Sequence, residues 1–136
     1  LAADLLPVMA CLAVGRDGQI YNVNADQAAV ACAVGWRADR LVFLTDVDGV
    51  RDGKGRVLER LAAEDIPALL ASGAVAGGML AKLRAVEEAV AGGLSQVRIA
   101  NGHRAEAWEA LFSEEETEEN AAGTVIVSSL PVEKRG

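Results

Sequence analysis

Leu41–Val50 reads LVFLTDVDGV, a short apolar run that passes directly into a polar loop. A wholly apolar run of this length is typical of a strand buried on both faces, as in a parallel sheet. The loop after it, from Asp46 to Gly55, is rich in aspartate and glycine. Because sites in open parallel sheets form beyond the carboxyl ends of the strands, this stretch predicts an α/β fold with a site that begins at Asp46.

The rest of the chain alternates strands with helices. Asn22 or Asn24 can cap the first helix, and Gly35 can end it. Pro67 suits the first turn of the second helix, which Gly73 stops. The alternation predicts a mostly parallel central sheet with helices on both faces. The predicted elements are a hairpin of strands 8–14 and 19–21, strands 41–44, 96–100 and 125–127, and helices 24–34, 64–72, 79–91 and 105–112.

Composition and charge restrict the classes of function. The 136 residues suit one domain, and 51% hydrophobic with 24% charged residues is typical of a globular protein. The formal charge of −7 argues against a nucleic-acid partner, although backbone amides and one lysine can still hold a nucleotide's phosphates. No apolar run approaches the roughly 20 residues that span a bilayer. Cys11 and Cys32 are interpreted as reduced core thiols, so we expect a cytoplasmic protein without a membrane partner.

The first segment that can carry chemistry is Asn22–Asp26, NVNAD, where a predicted strand meets a predicted helix. Asn22 and Asn24 can donate hydrogen bonds to a substrate carboxylate, and Asp26 can orient a lysine. The amino end of a helix also favours an anion nearby. Helix capping and turn formation explain the same residues without any ligand.

The second segment is the start of the loop after the apolar run, TDVDGV at Thr45–Val50. Asp46 and Asp48 can accept hydrogen bonds from ribose hydroxyls or adenine, or hold water around Mg²⁺. A solvated acidic turn explains the same residues.

The third segment is AGGMLAK at Ala76–Lys82. Gly77 and Gly78 stand before a predicted helix, so a phosphate can approach their backbone amides. Lys82 lies one turn into that helix and can neutralise the charge on a phosphoryl group in transfer. A flexible loop followed by a solvated lysine is the alternative explanation.

Two other features are set aside. Gly53-Lys54-Gly55 lacks the spacing of a Walker A loop and is interpreted as a surface turn. His103 is the only histidine in the sequence, so a histidine-rich metal site is excluded and no metal-binding residue is predicted. Asn101-Gly102-His103 is expected to cap the helix that follows it.

In this order, the segments resemble the acetylglutamate kinases of the amino acid kinase family. The likeness rests on NVNADQ at 22–27, TDVDGV at 45–50, GGM with a lysine three residues on at 77–82, and GTVIV at 123–127. It extends from about Leu6 to Val127. Each motif is weak alone, and the ordered set is specific.

The resemblance implies a phosphotransferase that uses ATP and Mg²⁺ to phosphorylate the side-chain carboxylate of N-acetylglutamate in arginine biosynthesis. It implies that Lys82 stabilises the transition state, that Asp26 organises the catalytic lysines, and that Asn22 and Asn24 bind the substrate. The nucleotide site that it implies consists of Thr45, Asp46, Val47, Asp48, Gly49, Val50, Arg51, Ala74, Val75, Ala76, Gly77, Gly78 and Met79.

Members of that family also have an amino-terminal lobe, which carries a second catalytic lysine, a glycine-rich loop, a substrate-binding arginine and the dimer contact. This chain starts at Leu1, within what reads as the end of a helix, and shows none of those features. We therefore expect residues 1–129 to be the nucleotide-binding lobe without the substrate lobe, and residues 130–136 to be a polar tail. The isolated chain is expected to bind ATP or ADP weakly and to turn over poorly or not at all. A homo-oligomer is expected for the full-length enzyme.

Two other functions compete with this one, and a purely structural domain with no affinity for ATP or arginine is a third alternative. A sister kinase in lysine biosynthesis acts on a protein-carried α-aminoadipate and looks similar around all three segments, but it has an aspartate where this chain has Asn24. A non-catalytic module that senses a nucleotide or arginine is the other. It would use the acidic run around Ser113 to Gly123, which is otherwise a solvated loop.

Overall fold

The computed structural model of the protein describes residues 6–105, 108 and 122–128. A short 3₁₀ turn, Ala63–Asp65, precedes the second helix. The elements in chain order are β1 (Leu12–Val14), β2 (Ile20–Asn22), α1 (Ala25–Gly35), β3 (Leu41–Thr45), β4 (Arg60–Ala62), α2 (Ile66–Ala71), α3 (Gly77–Ala91), β5 (Gln96–Asn101) and β6 (Thr124–Val127).

The hairpin forms a sheet of its own. β1 and β2 pair antiparallel, with Leu12 opposite Asn22 and Val14 opposite Ile20, so the predicted hairpin is confirmed. The prediction of a buried strand from Val8 is wrong. β1 begins only at Leu12, and Val8, Leu12 and Val14 are 90%, 60% and 73% exposed. A two-stranded ribbon has no second layer of its own to cover its faces, so apolar side chains alone do not bury it.

The main sheet has the strand order β3-β5-β6-β4. β3 is parallel to β5 and β4 is parallel to β6, whereas β5 and β6 are antiparallel. The predicted α/β fold with a mostly parallel sheet is therefore confirmed. β5 is a central strand, and its residues Val97–Ala100 are all buried.

The expected burial of β3 on both faces is wrong. β3 lies at an edge of the described sheet, with β5 as its only neighbour there. Phe43 is buried, but Leu44 is 41% exposed. A run of four apolar residues predicts a strand but does not show whether that strand has a neighbour on both sides. Edge strands and central strands can have the same apolar composition.

Strand β4 was not predicted. It has one buried side chain, Leu61, next to the exposed Arg60. Such a short run has no apolar alternation that the sequence could display. It becomes a strand because its backbone pairs with β6, with Arg60 opposite Val125.

The first helix ends by a device that the sequence did not suggest. The chain reverses at Arg37, which has a left-handed φ of 53°, and not at the predicted Gly35. The Arg37 amide donates to the Val34 carbonyl at 3.1 Å, and the Ala38 amide donates to the Ala33 carbonyl at 2.9 Å. This bond pattern satisfies the last carbonyls of the helix, with arginine in the position that glycine usually occupies.

The second and third helices agree with the predicted ones to within a few residues. Pro67 lies in the first turn of α2, and Gly73, with a φ of 74°, follows its end. α3 starts at Gly77, before the predicted Met79, and ends at Ala91 as expected. No helix of the described ranges is both long and apolar enough to cross a membrane.

The core lies where α1 and α3 pack on each other and on strands β3 and β5. The predicted helix 105–112 falls outside the described residues, apart from Ala105 and Trp108, and so do the acidic run 114–120 and the tail 130–136. The most deeply buried hydrophobic residues are Val50, Ile66, Leu83, Val86, Ala89, Val97, Ile99, Ala100 and Ile126.

Candidate active site

Three strands of the main sheet each have one end on the same edge of the sheet, the edge formed by the carboxyl ends of β3 and β5. Because β3 and β5 are parallel and stay paired as far as Thr45 and Asn101, both strands finish there. β6 runs in the opposite direction and starts at the same edge, with Thr124 opposite Ile99. The loop after Thr45 is therefore flanked by residues of β5 and β6 that are distant in sequence.

Asp48 is the centre of a polar cluster at this edge. The Asn101 side-chain amide donates to Asp48 Oδ1 at 2.9 Å. The Arg104 guanidinium contacts both carboxylate oxygens of Asp48, through Nε at 2.9 Å and through Nη2 at 3.1 Å. The hydrogen bond from Asn101 lowers the pKa of Asp48 from its usual 3.8; desolvation raises it, and the charges of Arg104 and Arg51 lower it further. The cluster therefore favours the charged form of Asp48.

Asp46 is more exposed than Asp48. Its Oδ1 accepts a hydrogen bond from the Thr45 hydroxyl at 3.1 Å. Its backbone carbonyl lies 3.5 Å from the Asn101 side-chain nitrogen. The guanidinium of Arg51, also predicted at the nucleotide site, donates to the Gly55 carbonyl at 2.8 Å and so stays with its own turn. Asp46 is thus the carboxylate of the loop that a ligand can reach.

The far side of the loop is fixed by a buried threonine. Thr124 Oγ1 accepts from the Val50 amide at 2.8 Å and donates to the Leu58 carbonyl at 2.6 Å. Gly49 lies against it with a φ of 148°, and a Cβ on Gly49 would approach Thr124 Oγ1 to 2.6 Å. The predicted glycine is therefore required by close packing and backbone conformation together.

The start of α1 combines a cap with a carboxylate. Asn24 Oδ1 accepts from the amides of Asp26 and Gln27, at 3.0 and 3.2 Å, so Asn24 and not Asn22 is the cap. This contact occupies the Asn24 oxygen, and its amide nitrogen is the group left to offer a substrate. Asn22, at the end of β2, accepts a long hydrogen bond from the Cys11 thiol at 3.8 Å.

Lys82 and Asp26 form an ion pair between α3 and α1. Lys82 Nζ lies 2.8 Å from Asp26 Oδ1 and 3.1 Å from Oδ2. The two side chains are only 19% and 17% exposed. Nζ also lies 5.7 Å from the centre of the Phe43 ring, which is buried in β3. The structure therefore brings together the two residues predicted to be catalytic, and it fixes the lysine head from two directions.

The glycines before Lys82 form the first turn of α3. The residue at the amino terminus of this helix, Ala76, has no side chain that can cap it, and no acidic residue lies in the first turn. Gly77 has a φ of 59°, and a Cβ placed on Gly77 or Gly78 would meet no described atom within 4 Å outside the adjoining part of its own chain. The helix therefore starts without a side-chain cap or a nearby acidic residue of its own, an arrangement that suits an anion.

Strand β3 connects these two parts of the site. Phe43 lies beneath the Lys82 head, and Thr45, two residues further on, starts the loop toward Asp48. Two residues of a strand span about 7 Å. The ion pair therefore lies beside β3 close to the point where the loop begins.

Three residues of the site were missed from the sequence: Asn101, Arg104 and Thr124. Asn101 follows an apolar strand just as Asp46 does, so the position after strand 96–100 was a usable signal. The sequence instead suggested a helix cap, and the Asn101 oxygen does accept from the His103 amide at 2.9 Å. Arg104 and Thr124 carry no such signal, because only the pairing of β3, β5 and β6 brings them to the loop.

One further prediction is confirmed, and another falls mostly outside the described residues. Gly53-Lys54-Gly55 is a surface turn, in which Asp52 accepts from the amides of Lys54 and Arg56. The proposed arginine-sensing run, 113–123, lies outside the described residues apart from Ala122 and Gly123. Among the described residues, no three acidic, histidine or cysteine side chains form a metal-binding group.

Comparison with known proteins identifies the relatives of this chain. The model of the amino acid kinase family matches residues 1–101. The acetylglutamate kinase of Koribacter versatilis (strain Ellin345) is 46% identical over 129 residues, which cover 95% of this chain and 48% of that protein. The acetylglutamate kinase of Solibacter usitatus (strain Ellin6076) is 52% identical over 115 residues, or 85% of this chain and 45% of that protein.

Solved structures show the same relationship. An N-acetylglutamate synthase from Neisseria gonorrhoeae, complexed with coenzyme A and N-acetyl-glutamate, matches 89% of this chain and 27% of its own, with a TM-score of 0.76 and 28% identity. Carbamate kinase from Giardia lamblia bound to AMP-PNP matches 84% of this chain and 36% of its own, with a TM-score of 0.61 and 25% identity. The chain spans about half the length of the curated relatives that it matches. The sequence match and the shared fold agree, and the chain belongs to the amino acid kinase family.

Proposed function

We propose that this chain is the nucleotide-binding half of an acetylglutamate kinase, which transfers the γ-phosphoryl group of ATP to the side-chain carboxylate of N-acetylglutamate. The observation that carries the proposal is the Lys82–Asp26 ion pair, one turn beyond the uncapped, glycine-containing start of α3. Phosphoryl transfer needs little covalent help from the protein. It needs positioned positive charge and backbone donors around the phosphates.

Lys82 is suited to this role because Asp26 holds its ammonium group without using all three of its hydrogen-bond donors. An ammonium group has three donors, and the two contacts with Asp26 leave one to point toward a phosphate oxygen. The orientation is set before a nucleotide arrives, so little side-chain entropy remains to be lost on binding. Asp26 thus acts by positioning the lysine, and Lys82 stabilises the charge that develops on the transferred group.

The nucleotide would extend along the edge of the main sheet that the carboxyl ends of β3 and β5 form. The amides at Gly77 and Gly78 face its phosphates, and the loop from Thr45 to Arg51 faces its nucleoside. By this proposal, Ala74–Met79 and the backbone of Thr45–Arg51 contact the nucleotide, with Asp46 as the exposed carboxylate of the loop. The carbamate kinase from Giardia lamblia shares this fold and was solved bound to AMP-PNP, which supports the placement of a nucleotide here.

Mg²⁺ would enter with ATP and would be bound mainly through phosphate oxygens. Both oxygens of Asp48 already accept from Asn101 or Arg104, so this carboxylate is a poor metal ligand. The exposed Asp46 is better placed to accept a hydrogen bond from a water molecule bound to Mg²⁺. When bound, Mg²⁺ would neutralise charge on the phosphates, while the chain's own residues orient the nucleotide.

The substrate assignment rests on the similarity to proteins of known name. Both curated relatives described above are acetylglutamate kinases, which favours acetylglutamate over a carrier-linked aminoadipate. By the same proposal the reaction belongs to arginine biosynthesis in the cytoplasm. The substrate would lie beside Asn22 and the Asn24 amide nitrogen, and the full-length enzyme would be a homo-oligomer.

One experiment tests the nucleotide assignment. Titration of ADP and ATP into the purified 136-residue chain, followed by calorimetry, is expected to show weak binding. Lys82→Met is expected to lower the affinity at least tenfold, because it removes the phosphate-facing charge and keeps the side-chain volume. Lys54→Met is the matched control, since Lys54 lies in the surface turn of Gly53 to Gly55. Equal affinities for the two variants would overturn the role of Lys82.

A second measurement tests the activity. A coupled ADP-release assay with N-acetylglutamate is expected to show little or no turnover by this chain alone, because one lysine cannot contact both sides of an in-line transfer. Normal turnover would refute the view that half of the active site lies in another part of the protein. Absence of any nucleotide affinity would refute the assignment of this half to the nucleotide.

A further inference from the structure

The Asn101 side chain links the turn after β5 to the loop after β3. Its oxygen accepts from the His103 amide at 2.9 Å, which fixes the turn after β5. Its nitrogen donates to Asp48 Oδ1 at 2.9 Å and lies 3.5 Å from the Asp46 carbonyl. Asn101 therefore holds both the side chain and the backbone of the loop that follows β3.

Arg104 adds a second hold on the same carboxylate. Its Nε and Nη2 contact the two oxygens of Asp48, a two-point geometry that fixes orientation as well as distance. Together with the hydrogen bond from Asn101 to Oδ1, the Asp48 carboxylate has three contacts with N–H groups from the end of β5 and the turn after it. Its main contacts are with the protein, so Asp48 is better placed to anchor the loop than to contact a ligand.

The other end of this loop is held independently. Thr124 accepts from the Val50 amide, and Val50 is fully buried. Residues 46–49 therefore lie between two fixed points, Thr45 and Val50, and Asp48 is held within this segment by its own partners. Thr45, the last residue of β3, also accepts a hydrogen bond from the Gly102 amide at 2.9 Å through its carbonyl.

We infer that Asn101 and Arg104 are positioning residues for the nucleotide site: they hold Asp48 so that the backbone of residues 46–49 keeps one conformation before the nucleotide binds. This inference rests on the proposed function. Its physical basis is preorganisation, because a loop that is already ordered loses less conformational entropy when a ligand arrives. It gives Asp48 an indirect role and leaves direct contact to the backbone and to Asp46.

The sharpest variant is Asn101→Asp, which keeps the shape of the side chain and replaces the donor with a like-charged acceptor facing Asp48. The amides of residues 47–49 are expected to lose order, from a ¹⁵N order parameter of about 0.85 toward values below about 0.6. ADP affinity is expected to fall at least tenfold.

Two further variants complete the test. Arg104→Gln removes the guanidinium of a residue whose side chain is 61% exposed, so it does not threaten folding. It is expected to change order and ADP affinity in the same direction as Asn101→Asp. Arg56→Gln breaks the ion pair with Asp52 in the neighbouring turn and is expected to leave both quantities unchanged. If Asn101→Asp fails to fold, Arg104→Gln is judged by the same criteria.

The outcomes separate this inference from the proposed function. Unchanged order at 47–49 in both Asn101→Asp and Arg104→Gln would overturn the positioning role. Increased mobility without any loss of ADP affinity would also overturn it, while the nucleotide assignment would stand. If the unaltered chain binds no ADP, the proposed function fails first, and the inference fails with it.

Discussion

The ion pair between Lys82 and Asp26 makes a quantitative prediction about the coupling of α3 to α1. At the observed 2.8 Å, two unit charges in an effective dielectric of about 20 attract each other by about 6 kcal/mol. Removal of the two groups from water offsets most of this attraction. Because both side chains keep less than a fifth of their exposure, we expect a net coupling of about 2 kcal/mol, above the 0–1 kcal/mol typical of exposed pairs.

The assay is a double-mutant cycle in urea. Lys82→Met and Asp26→Asn keep the volume of each side chain and remove its charge, and each is expected to lower the free energy of unfolding by about 2–3 kcal/mol because a half-satisfied charge stays behind. The double variant is expected to lose about as much as one single variant, because the interaction is already absent in each.

The control is the same cycle on Arg56 and Asp52. The Arg56 side chain of that pair is 74% exposed, so its coupling is expected to be too small to resolve and to weaken further in salt. A coupling below about 0.5 kcal/mol between Lys82 and Asp26 would refute the reasoning, because it would mean that the lysine head is not held by the carboxylate.

Three further predictions depend on local geometry. Asn24→Ala is expected to cost about 1 kcal/mol in urea unfolding, because it removes the cap of α1; an unchanged midpoint would contradict the capping role. Gly123→Ala, at a φ of 90° and against the backbone of β5, is expected to cost about 3 kcal/mol. Gly55→Ala, at a φ of 80° in open space, is expected to cost about 1 kcal/mol, and equal losses would contradict the packing argument. The pKa of Asp48, followed by carboxyl NMR, is expected to rise when Asn101 is replaced by alanine, since that amide is the main cause of the lowered value.

The lowered pKa of Asp48 has a defined sign for stability. Because folding lowers this pKa from the usual 3.8, the contribution of Asp48 to stability is present above that value and is lost as the pH falls through the folded pKa. Asn101→Ala should therefore reduce the difference between stability at neutral pH and stability in acid. No change in that difference would contradict the assignment of the shift to Asn101.

Local sequence was enough for the elements whose signals are local. The turn between β1 and β2, Asn24 as one of two candidate caps, the proline in the first turn of α2 and the end of α3 at Ala91 all depend on neighbouring residues, and all agree with the structure. The order of Asp26, the loop after β3 and Lys82 along the chain also predicted which residues to consider as a site. What these patterns lacked was distance, since sequence spacing alone does not say which side chains touch.

Tertiary structure decided the rest, because it sets which surfaces are covered and which strands are neighbours. The exposed hairpin and the edge position of β3 follow from missing neighbours in the described sheet, and apolar runs look the same with or without them. Strand β4 and the partners of Asp48 follow from pairing between segments far apart in the chain. The sequence by itself determined the residue types and local conformations of the site, whereas the parallel pairing of β3 with β5 decided which of them meet, since non-local contacts are chosen by the packing of the whole sheet.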